Sequence, residues 1–297
     1  MTKNLDILIA DSSGNITIMV LTPTPRNEYK HVAQQLLDMK KLGGEQVAFI
    51  LPESDMPSME MCGLEFCGNA SRAFAFYEVS RKALQASDRS YTDDPAKCIP
   101  SQITVQVSGC DNPLTAQVIP MPDQSDQDSI SSIAANQAVV EMEMPVPSSI
   151  HKLSARDISL NRDGLLVDID GISHLILEDI PASGQTFEDL QHYIYENINP
   201  ELPAFGVMFC DTVNQMMTPV VYVKDVDSTY FEGSCASGTV AASFALVQDL
   251  EDGVHEFTMQ QPEGMLHTAV TKKNGHIESI SLKGLVSLSN IITVEIN

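Results

Sequence analysis

Two cysteines, Cys67 and Cys235, have the residue type and the setting needed to exchange protons with a substrate. Downstream of both, alanine recurs at the sixth position, phenylalanine at the ninth and valine at the twelfth. Spacing in multiples of three predicts a helix after each cysteine. A helix N-terminus stabilises a thiolate and offers unpaired N–H groups to a carboxylate, because both gain from the partial positive charge there. We therefore expect two acidic thiols, each at the start of a buried helix.

Two thiols placed in this way could invert a stereocentre. If both helix starts face one cleft, backbone N–H groups would hold the carboxylate of an α-amino acid, and its Cα would lie between the sulfur atoms. One thiolate would remove the α-proton from one face while the opposing thiol delivers a proton to the other face. The two groups would titrate as a coupled pair and would exchange the roles of acid and base with the direction of reaction.

A second internal repeat concerns the strands that must position these helices. Asp6–Val20 is predicted to form strand, turn and strand with the turn at residues 11–15, and Leu165–Leu177 repeats this plan with its turn at residues 170–174. We expect helices at Asn27–Leu42 and Thr186–Glu196, and surface loops at Ala86–Pro100 and Pro122–Ala135. Further strands are predicted at Gln46–Leu51, Ile103–Val107, Val139–Met144, Val207–Phe209, Val220–Val223, Phe257–Gln260 and Ile277–Leu282. Strands around a central helix, built twice, make an α+β fold with a cleft between its halves.

The two cysteine segments, Phe66–Ala70 and Ser234–Thr239, resemble the paired motifs of the diaminopimelate epimerase fold superfamily. Within it, the chain more closely resembles the histidine racemases of opine-type metallophore biosynthesis and related broad-specificity histidine racemases. Further segments that carry this resemblance are residues 13–17, 45–47, 107–110 and 261–262. The chain departs from the usual pattern at Ala236, where glycine is common, and at the insertion around Pro122–Ala135.

The resemblance implies an α+β fold of two pseudo-symmetric lobes of the diaminopimelate epimerase type, each a β-barrel-like sheet around a central helix. Residues 1–146 would form the N-terminal lobe, completed by residues 285–297, and residues 147–284 would form the C-terminal lobe. The last strand, Ile291–Asn297, would return to the first lobe.

The resemblance also implies roles for individual residues. Cys67 and Cys235 would be the catalytic acid and base. Asn15 and Gln46 would line the first-lobe side, and His174 would be the second-lobe histidine. Glu45 and Glu232 would receive the ammonium or imidazole of the substrate. The N–H groups for its carboxylate would come from Gly68, Asn69, Ser237, Gly238 and Thr239.

Residues that the sequence lacks limit which side chain the substrate could carry. Diaminopimelate carries a distal carboxylate, which an arginine fork holds best, yet no arginine follows Arg162. The residues 230–232, Tyr-Phe-Glu, suit a cationic or aromatic side chain, and histidine is both. Proline racemases carry a proline before the second cysteine, whereas this chain has Ser234. The alternatives are therefore a diaminopimelate epimerase, a proline-type racemase, a non-catalytic amino-acid binding protein and a cysteine-free isomerase of the phenazine-pathway type.

Composition limits the partners. The formal net charge of −23 would repel nucleic acid and anionic membranes, and no apolar run reaches the ~18 residues of a membrane span. We expect a cytoplasmic protein with free thiols, since no signal-peptide pattern is evident. Cysteines and histidines do not fall at zinc-ligand spacing, and no pyridoxal phosphate motif is evident. The prediction is an enzyme without cofactor or metal that acts on a small amino acid, with a homodimer as the candidate assembly.

Overall fold

The computed structural model describes residues 2–52, 56–87, 102–121, 136–214 and 216–297. Within them the helices are α1 (Tyr29–Asp38), α2 (Gly68–Ser87), α3 (Gly184–Asn197) and α4 (Ala236–Val247). The strands are β1 (Lys3–Ser12), β2 (Ile16–Val20), β3 (Gln46–Leu51), β4 (Ser58–Met61), β5 (Gln102–Val107), β6 (Leu114–Pro120), β7 (Gln137–Met144), β8 (Ser149–Leu153), β9 (Gly164–Ile169), β10 (Ile172–Glu178), β11 (Ala204–Asp211), β12 (Met216–Val223), β13 (Ser228–Phe231), β14 (Gly253–Gln260), β15 (Met265–Lys273), β16 (His276–Leu288) and β17 (Ile292–Ile296). The fold is mixed α+β and dominated by sheet.

Each predicted strand and helix occurs, and the differences lie at their ends. The predicted turn at residues 170–174 is too long, because Gly171 takes a φ of +76° and lets Ile172 pair with Ile169 at once. His174 therefore lies within β10. The predicted loop Ala86–Pro100 is wrong at its start, since α2 continues to Ser87. The rest of that segment, and Pro122–Ala135, lie outside the described residues.

The strand pairing of the first half recurs in the second half. β1 and β2 are antiparallel, β2 and β3 are parallel, and β3 and β4 are antiparallel. The strands β9, β10, β11 and β12 pair in the same sequence of directions. Because parallel neighbours need a crossover, α1 connects β2 to β3 and α3 connects β10 to β11. The two halves are joined where β7 pairs with β16 and where β17 returns to pair with β1.

The helices that follow the two cysteines are buried nearly all round, as predicted. In α4 every residue from Ala236 to Phe244 is buried, and in α2 the same holds from Asn69 to Phe76. Small alanine side chains allow strands to approach each helix from several sides. Helix α2 contacts β1, β5, β6, β7 and β16, whereas α4 contacts β9, β10, β11, β14, β15 and β16. Arg72 and Glu78, two charged residues of α2, are also buried.

Helices α1 and α3 cover the outer faces of the sheet and complete two smaller cores. Val32 and Leu36 of α1 pack against Phe49, whereas Phe187 and Leu190 of α3 pack in a separate cluster. The main core lies between them and contains α2 and α4. In the described part of the chain, no helix has the length and apolar character needed to cross a membrane.

Candidate active site

Both cysteines lie at helix starts, as predicted. Helix α2 begins at Gly68, directly after Cys67, and Cys235 is the N-cap residue of α4. The sulfur of Cys67 accepts the N–H of Ala70 at 3.4 Å, and the sulfur of Cys235 accepts the N–H of Gly238 at 3.4 Å. Each sulfur therefore sits against the first turn of its own helix, where N–H groups lack intrahelical partners.

The two helix starts meet each other directly. The side-chain amide of Asn69 donates to the carbonyl of Ser234, the residue before Cys235, at 2.9 Å. A Cβ atom on Gly68 would come within 2.9 Å of the Cβ of Ala236, so the two backbones approach as closely as their small side chains allow. The fold thus brings together two segments that are 165 residues apart along the chain.

On the Cys67 side, a directed hydrogen-bond chain leads away from the thiol. The Cys67 thiol donates to Oε1 of Gln46 at 3.3 Å, and Nε2 of Gln46 donates to Oδ1 of Asn15 at 2.7 Å. Asn15 in turn donates through Nδ2 to Oε2 of Glu45 at 3.1 Å. Asn15, Glu45 and Gln46, all predicted site residues, are thus linked to Cys67.

On the Cys235 side, the partners are a hydroxyl and a histidine. Oγ of Ser237 lies 3.6 Å from the Cys235 sulfur and 2.9 Å from Nε2 of His174. His174 is fully buried, and burial lowers its pKa to about 3, so the ring is neutral at physiological pH. His174 therefore acts on Cys235 through Ser237. A Cβ on Gly206 would lie 2.4 Å from the His174 ring, which explains the glycine there.

Thr239, like Gly238, differs from the other predicted N–H donors because its N–H group already has a partner within the helix start. Its N–H and its hydroxyl both donate to the carbonyl of Cys235, at 3.0 and 2.6 Å. They are therefore already used within the helix start. Gln261 holds the same segment from outside, since its Oε1 accepts the N–H of Cys235 at 2.7 Å and its Nε2 donates to Oγ1 of Thr239 at 2.9 Å.

The expectation of two acidic thiols is wrong for this arrangement. Burial raises the pKa of Cys67 to about 12, and it raises the pKa of Cys235 well above its ordinary value. Hydrogen bonds from the helix N–H groups lower the pKa of each thiol, but the loss of hydration raises it by more. The carboxyl of Glu232 adds to the effect at Cys235, because it repels the thiolate and hydrogen-bonds the thiol.

Three carboxyl groups around the cysteines also resist ionisation. Burial raises the pKa of Glu45 to about 7, that of Glu65 to about 7 and that of Glu232 to about 8. One oxygen each of Glu65 and Glu232 is shielded from solvent and has no hydrogen-bond partner. Carboxyl oxygens in that state favour a ligand that brings hydrogen-bond donors or positive charge.

Sequence reasoning did not single out Glu65, Arg72 or Gln261 as individual site residues. Glu65 and Arg72 flank Cys67 by two and five positions, and their proximity to it along the chain was the available signal. Gln261 lies between β14 and β15, both of which contact α4, and the available signal was its place in residues 261–262, one of the segments that carry the resemblance.

Known proteins resemble this chain over almost its whole length. Residues 5–291 match the family described as "Histidine racemase CntK N-terminal domain". A histidine racemase from Fusobacterium nucleatum subsp. nucleatum is 28% identical over 277 residues, which is 92% of each chain. A histidine racemase from Staphylococcus aureus is 25% identical over 289 residues, or 93% of this chain and 92% of the other.

Among solved structures, a hydroxyproline epimerase from Agrobacterium vitis shares the fold. Its TM-score is 0.61 at 12% identity, and the match covers 99% of this chain and 93% of that one. The family match covers residues 5–291, which is more than half of the chain. The chain therefore belongs to the histidine racemase family, and with it to the isomerases.

Proposed function

We propose that this protein is a cofactor-independent two-base racemase that inverts the α-carbon of free histidine. The observation that carries the proposal is the meeting of the two helix starts, with one cysteine sulfur against the first turn of each helix. A binding protein would need the helix starts but would not need a thiol at both of them.

In the proposed mechanism, Cys67 and Cys235 exchange protons with opposite faces of Cα. The thiolate of one takes the α-proton, which leaves the electron pair of the broken C–H bond on Cα and its carboxylate. The thiol of the other then donates its proton to Cα from the opposite face, and the product has inverted configuration. N–H groups of Gly68, Asn69 and Ser237 would stabilise the charge that develops on the carboxylate, whereas that of Gly238 holds the Cys235 sulfur.

Carboxyl groups would recognise the rest of the substrate. We assign Glu45 and Glu232 to the ammonium and the imidazole, because burial raises the pKa of both and neither has a cationic partner among the described residues. Binding of a cation would stabilise their ionised forms and lower their pKa values. Histidine is favoured because the relatives from Fusobacterium nucleatum and Staphylococcus aureus are described as histidine racemases.

We further propose that the duplicated strand pairing forms two pseudo-symmetric lobes, each a barrel-like sheet around α2 or α4. Residues 1–146 with 285–297 would form one lobe, and residues 147–284 the other. The return of β17 to β1 and the separate cores around α1 and α3 support this division. Since Cys235 is 4% exposed, substrate would enter when the lobes separate. A cytoplasmic location and a homodimeric assembly stay predictions.

The test is proton exchange in D2O without added cofactor. We expect deuterium to be incorporated at the α-position, starting from L-histidine, at the rate at which D-histidine appears. Mass spectrometry measures the deuterium and chiral chromatography measures the enantiomers, both under reducing conditions. The double variant Cys67→Ala/Cys235→Ala is the control and should show neither change. Exchange confined to diaminopimelate or proline would show that one of these amino acids, and not histidine, is the substrate. No exchange with any amino acid would contradict the racemase activity and would favour a non-catalytic binding protein.

A further inference from the structure

Helix α4 begins with a capping arrangement that lacks one of its usual parts. Cys235 is the N-cap residue, with extended backbone angles (φ −125°, ψ 113°), and its sulfur accepts the N–H of Gly238, three residues later, at 3.4 Å. In a capping box, a glutamate or glutamine at that third position would accept the N–H of the N-cap residue in return. Gly238 has no side chain to do so, and a Cβ there would collide with Sδ of Met208. Since Cys235 is buried, its N–H needs an acceptor from another element.

Gln261, in the turn between β14 and β15, supplies this acceptor. Its side chain is fully buried, its Oε1 accepts the N–H of Cys235 at 2.7 Å, and its Nε2 donates to Oγ1 of Thr239 at 2.9 Å. The hydroxyl of Thr239 in turn donates to the carbonyl of Cys235 at 2.6 Å. Because an N–H only donates and a carbonyl only accepts, each hydrogen bond of this ring has one direction, and so has the amide of Gln261. The ring holds the two peptide groups that flank Cys235 and thereby sets where its sulfur points.

The turn that carries Gln261 is itself fixed. The N–H of Gln261 donates to the carbonyl of Gly264 at 2.8 Å, and the side-chain amide of Gln260 donates to the carbonyls of Gln261 and Gly264 at 2.9 and 3.1 Å. The N–H of Glu263 donates to the carbonyl of Gly233, two residues before the cysteine, at 3.0 Å. The turn therefore attaches to the Cys235 segment at two points, of which one is the buried amide.

The Cys67 helix start repeats the hydroxyl of this ring but not its amide. The hydroxyl of Ser71 donates to the carbonyl of Cys67 at 2.7 Å, four residues apart as at the other end. In the turn after β5, the side-chain amide of Gln106 donates to the carbonyls one and four residues later, the same pattern as in the turn after β14. The residue that follows Gln106 is Val107, at the position that corresponds to Gln261. Valine has no side-chain hydrogen-bonding group, so this position cannot hold the backbone of Cys67.

We propose that Gln261 is a positioning residue that holds the sulfur of Cys235, and not that of Cys67, in line for proton transfer with Cα of the substrate. The proposal deepens the racemase function proposed above and rests on it for its mechanistic meaning. Without the amide, Cys235 would be displaced both as the base that takes the α-proton and as the acid that returns one. Cys67 would keep both roles, because its support comes from other residues.

This asymmetry gives the two enantiomers different fates in D2O. From the enantiomer whose α-hydrogen faces Cys67, the thiolate of Cys67 still takes the α-proton, and the electron pair of the C–H bond stays on Cα and its carboxylate. The thiol exchanges its proton with solvent and returns a deuteron to the same face, so this enantiomer is labelled with retention. The enantiomer that faces Cys235 loses exchange and inversion together. Inversion slows equally in both directions, since the equilibrium constant between enantiomers is one.

The experiment measures α-deuterium uptake and inversion separately from L-histidine and from D-histidine. Gln261→Met keeps the length of the side chain and removes the amide. We expect inversion to fall about tenfold or more, as for the loss of two modest hydrogen bonds, and uptake to fall as much for one enantiomer but to stay within about twofold for the other. The enantiomer that still exchanges should be the one that Cys235→Ala exchanges and Cys67→Ala does not. Equal losses of uptake from both enantiomers would overturn the proposal, because a loss of folded protein has that signature.

The matched control is the same substitution at the other end of α4. Gln248 follows the helix, and its side-chain amide donates to the carbonyl of Phe244 at 3.0 Å. Gln248→Met should leave inversion and both uptake rates within about twofold of the wild type. A difference between the enantiomers in this control would contradict a specific role for Gln261.

A second variant covers the case in which Gln261→Met does not fold, as judged by circular dichroism. Thr239→Val keeps the shape of the side chain and removes the hydroxyl that links the amide to the carbonyl of Cys235. It should produce the same separation of the two enantiomers. Equal losses from both enantiomers in this variant would then overturn the proposal.

A readout without substrate separates the proposal from the racemase function. Iodoacetamide alkylates both thiols of one molecule at a fixed pH, and peptide mass spectrometry gives the ratio of the Cys235 rate to the Cys67 rate. Gln261→Met should raise this ratio about threefold or more, because a buried sulfur that loses its restraint opens to solvent more often. A raised ratio in a protein that racemises no amino acid would contradict the function alone. Wild-type racemisation with an unchanged ratio in the variant would contradict only the role of Gln261.

Discussion

The Cys67 and Cys235 helix starts share a backbone plan and differ in the polar groups around it. Each places a sulfur at 3.4 Å from an N–H of its own first turn. The thiol of Cys67 contacts the amide of Gln46, whereas that of Cys235 contacts the hydroxyl of Ser237, and the carboxyl of Glu232 raises the pKa of both thiols. The repeat thus preserves the placement of each sulfur, while the two ends differ in their hydrogen-bond partners.

The support behind each cysteine differs in the same way. Thr17 on β2 faces Gln46 on β3, and at the corresponding pair of strands His174 faces Gly206. In the first half the longer side chain comes from β3 and reaches the cysteine itself. In the second half it comes from β10 and reaches Ser237 instead. A duplicated fold can therefore support one chemistry with two different sets of side chains.

The largest effect is expected from removing either thiol. Cys67→Ala and Cys235→Ala should each lower the rate of histidine racemisation by about 10²–10⁴-fold, because each removes a general acid or base. Chiral chromatography measures the rate, and Cys210→Ala, at a partly buried cysteine on β11, serves as control. If only one of the two cysteine variants lost activity, the two thiols would not be equivalent in catalysis.

The next effect concerns binding at the Cys67 end. Glu45→Gln should raise the KM for histidine by about 10–100-fold with a smaller change in kcat, because a charge-assisted hydrogen bond to the substrate is lost. Burial raises the pKa of Glu45 to about 7, so the pH profile of kcat/KM for the variant should lack the inflection near pH 7. An unchanged KM would remove Glu45 from the binding site.

A smaller effect on kcat/KM is expected at Asn69 and Ser237, which lie two residues after Cys67 and Cys235. Asn69 bridges to the other half, whereas Ser237 bonds His174 within its own half. Asn69→Ala should therefore lower kcat/KM by about tenfold or more, and Ser237→Ala by only about three- to tenfold, as expected for one modest hydrogen bond. Equal losses would mean that the bridge between the helix starts does not position the thiols.

The smallest effect on turnover is expected from Glu65→Gln, which should act on stability instead. Burial raises the pKa of Glu65 from 4.5 to about 7, so its protonated form is favoured in the folded state. Its contribution to stability is present below pH 4.5 and is lost as pH rises through 7. The variant should match the wild type near pH 4.5 and gain about 3 kcal/mol in free energy of unfolding above pH 8.

Urea unfolding across this pH range measures the effect. Glu256→Gln, at an exposed position on β14, is the control and should not change the pH dependence. A variant whose free energy of unfolding runs parallel to the wild type at all pH values would contradict a buried, protonated Glu65.

Much of the fold could be predicted because the pattern is local. The spacing of Ala73, Phe76 and Val79 defined one buried helix, and β-branched runs defined strands such as Gln46–Leu51 to the residue. The ends of elements were less accurate, since Gly171 shortens a turn in a way that depends on its positive φ. The strands Ser58–Met61 and Ser228–Phe231 were not predicted because they are only four residues long, and three longer strands, Leu114–Pro120, Ser149–Leu153 and Met265–Lys273, were missed as well.

The sequence by itself determined that two cysteines head duplicated helices, because helical periodicity and repetition are written in the order of residues. Only the tertiary structure decided how acidic those thiols are. A helix N-terminus is a local feature and lowers a thiol pKa, but desolvation depends on every element packed around the sulfur, and here it outweighs the helix. The contact of Gln261 with Cys235 likewise depends on segments that meet only in the folded chain.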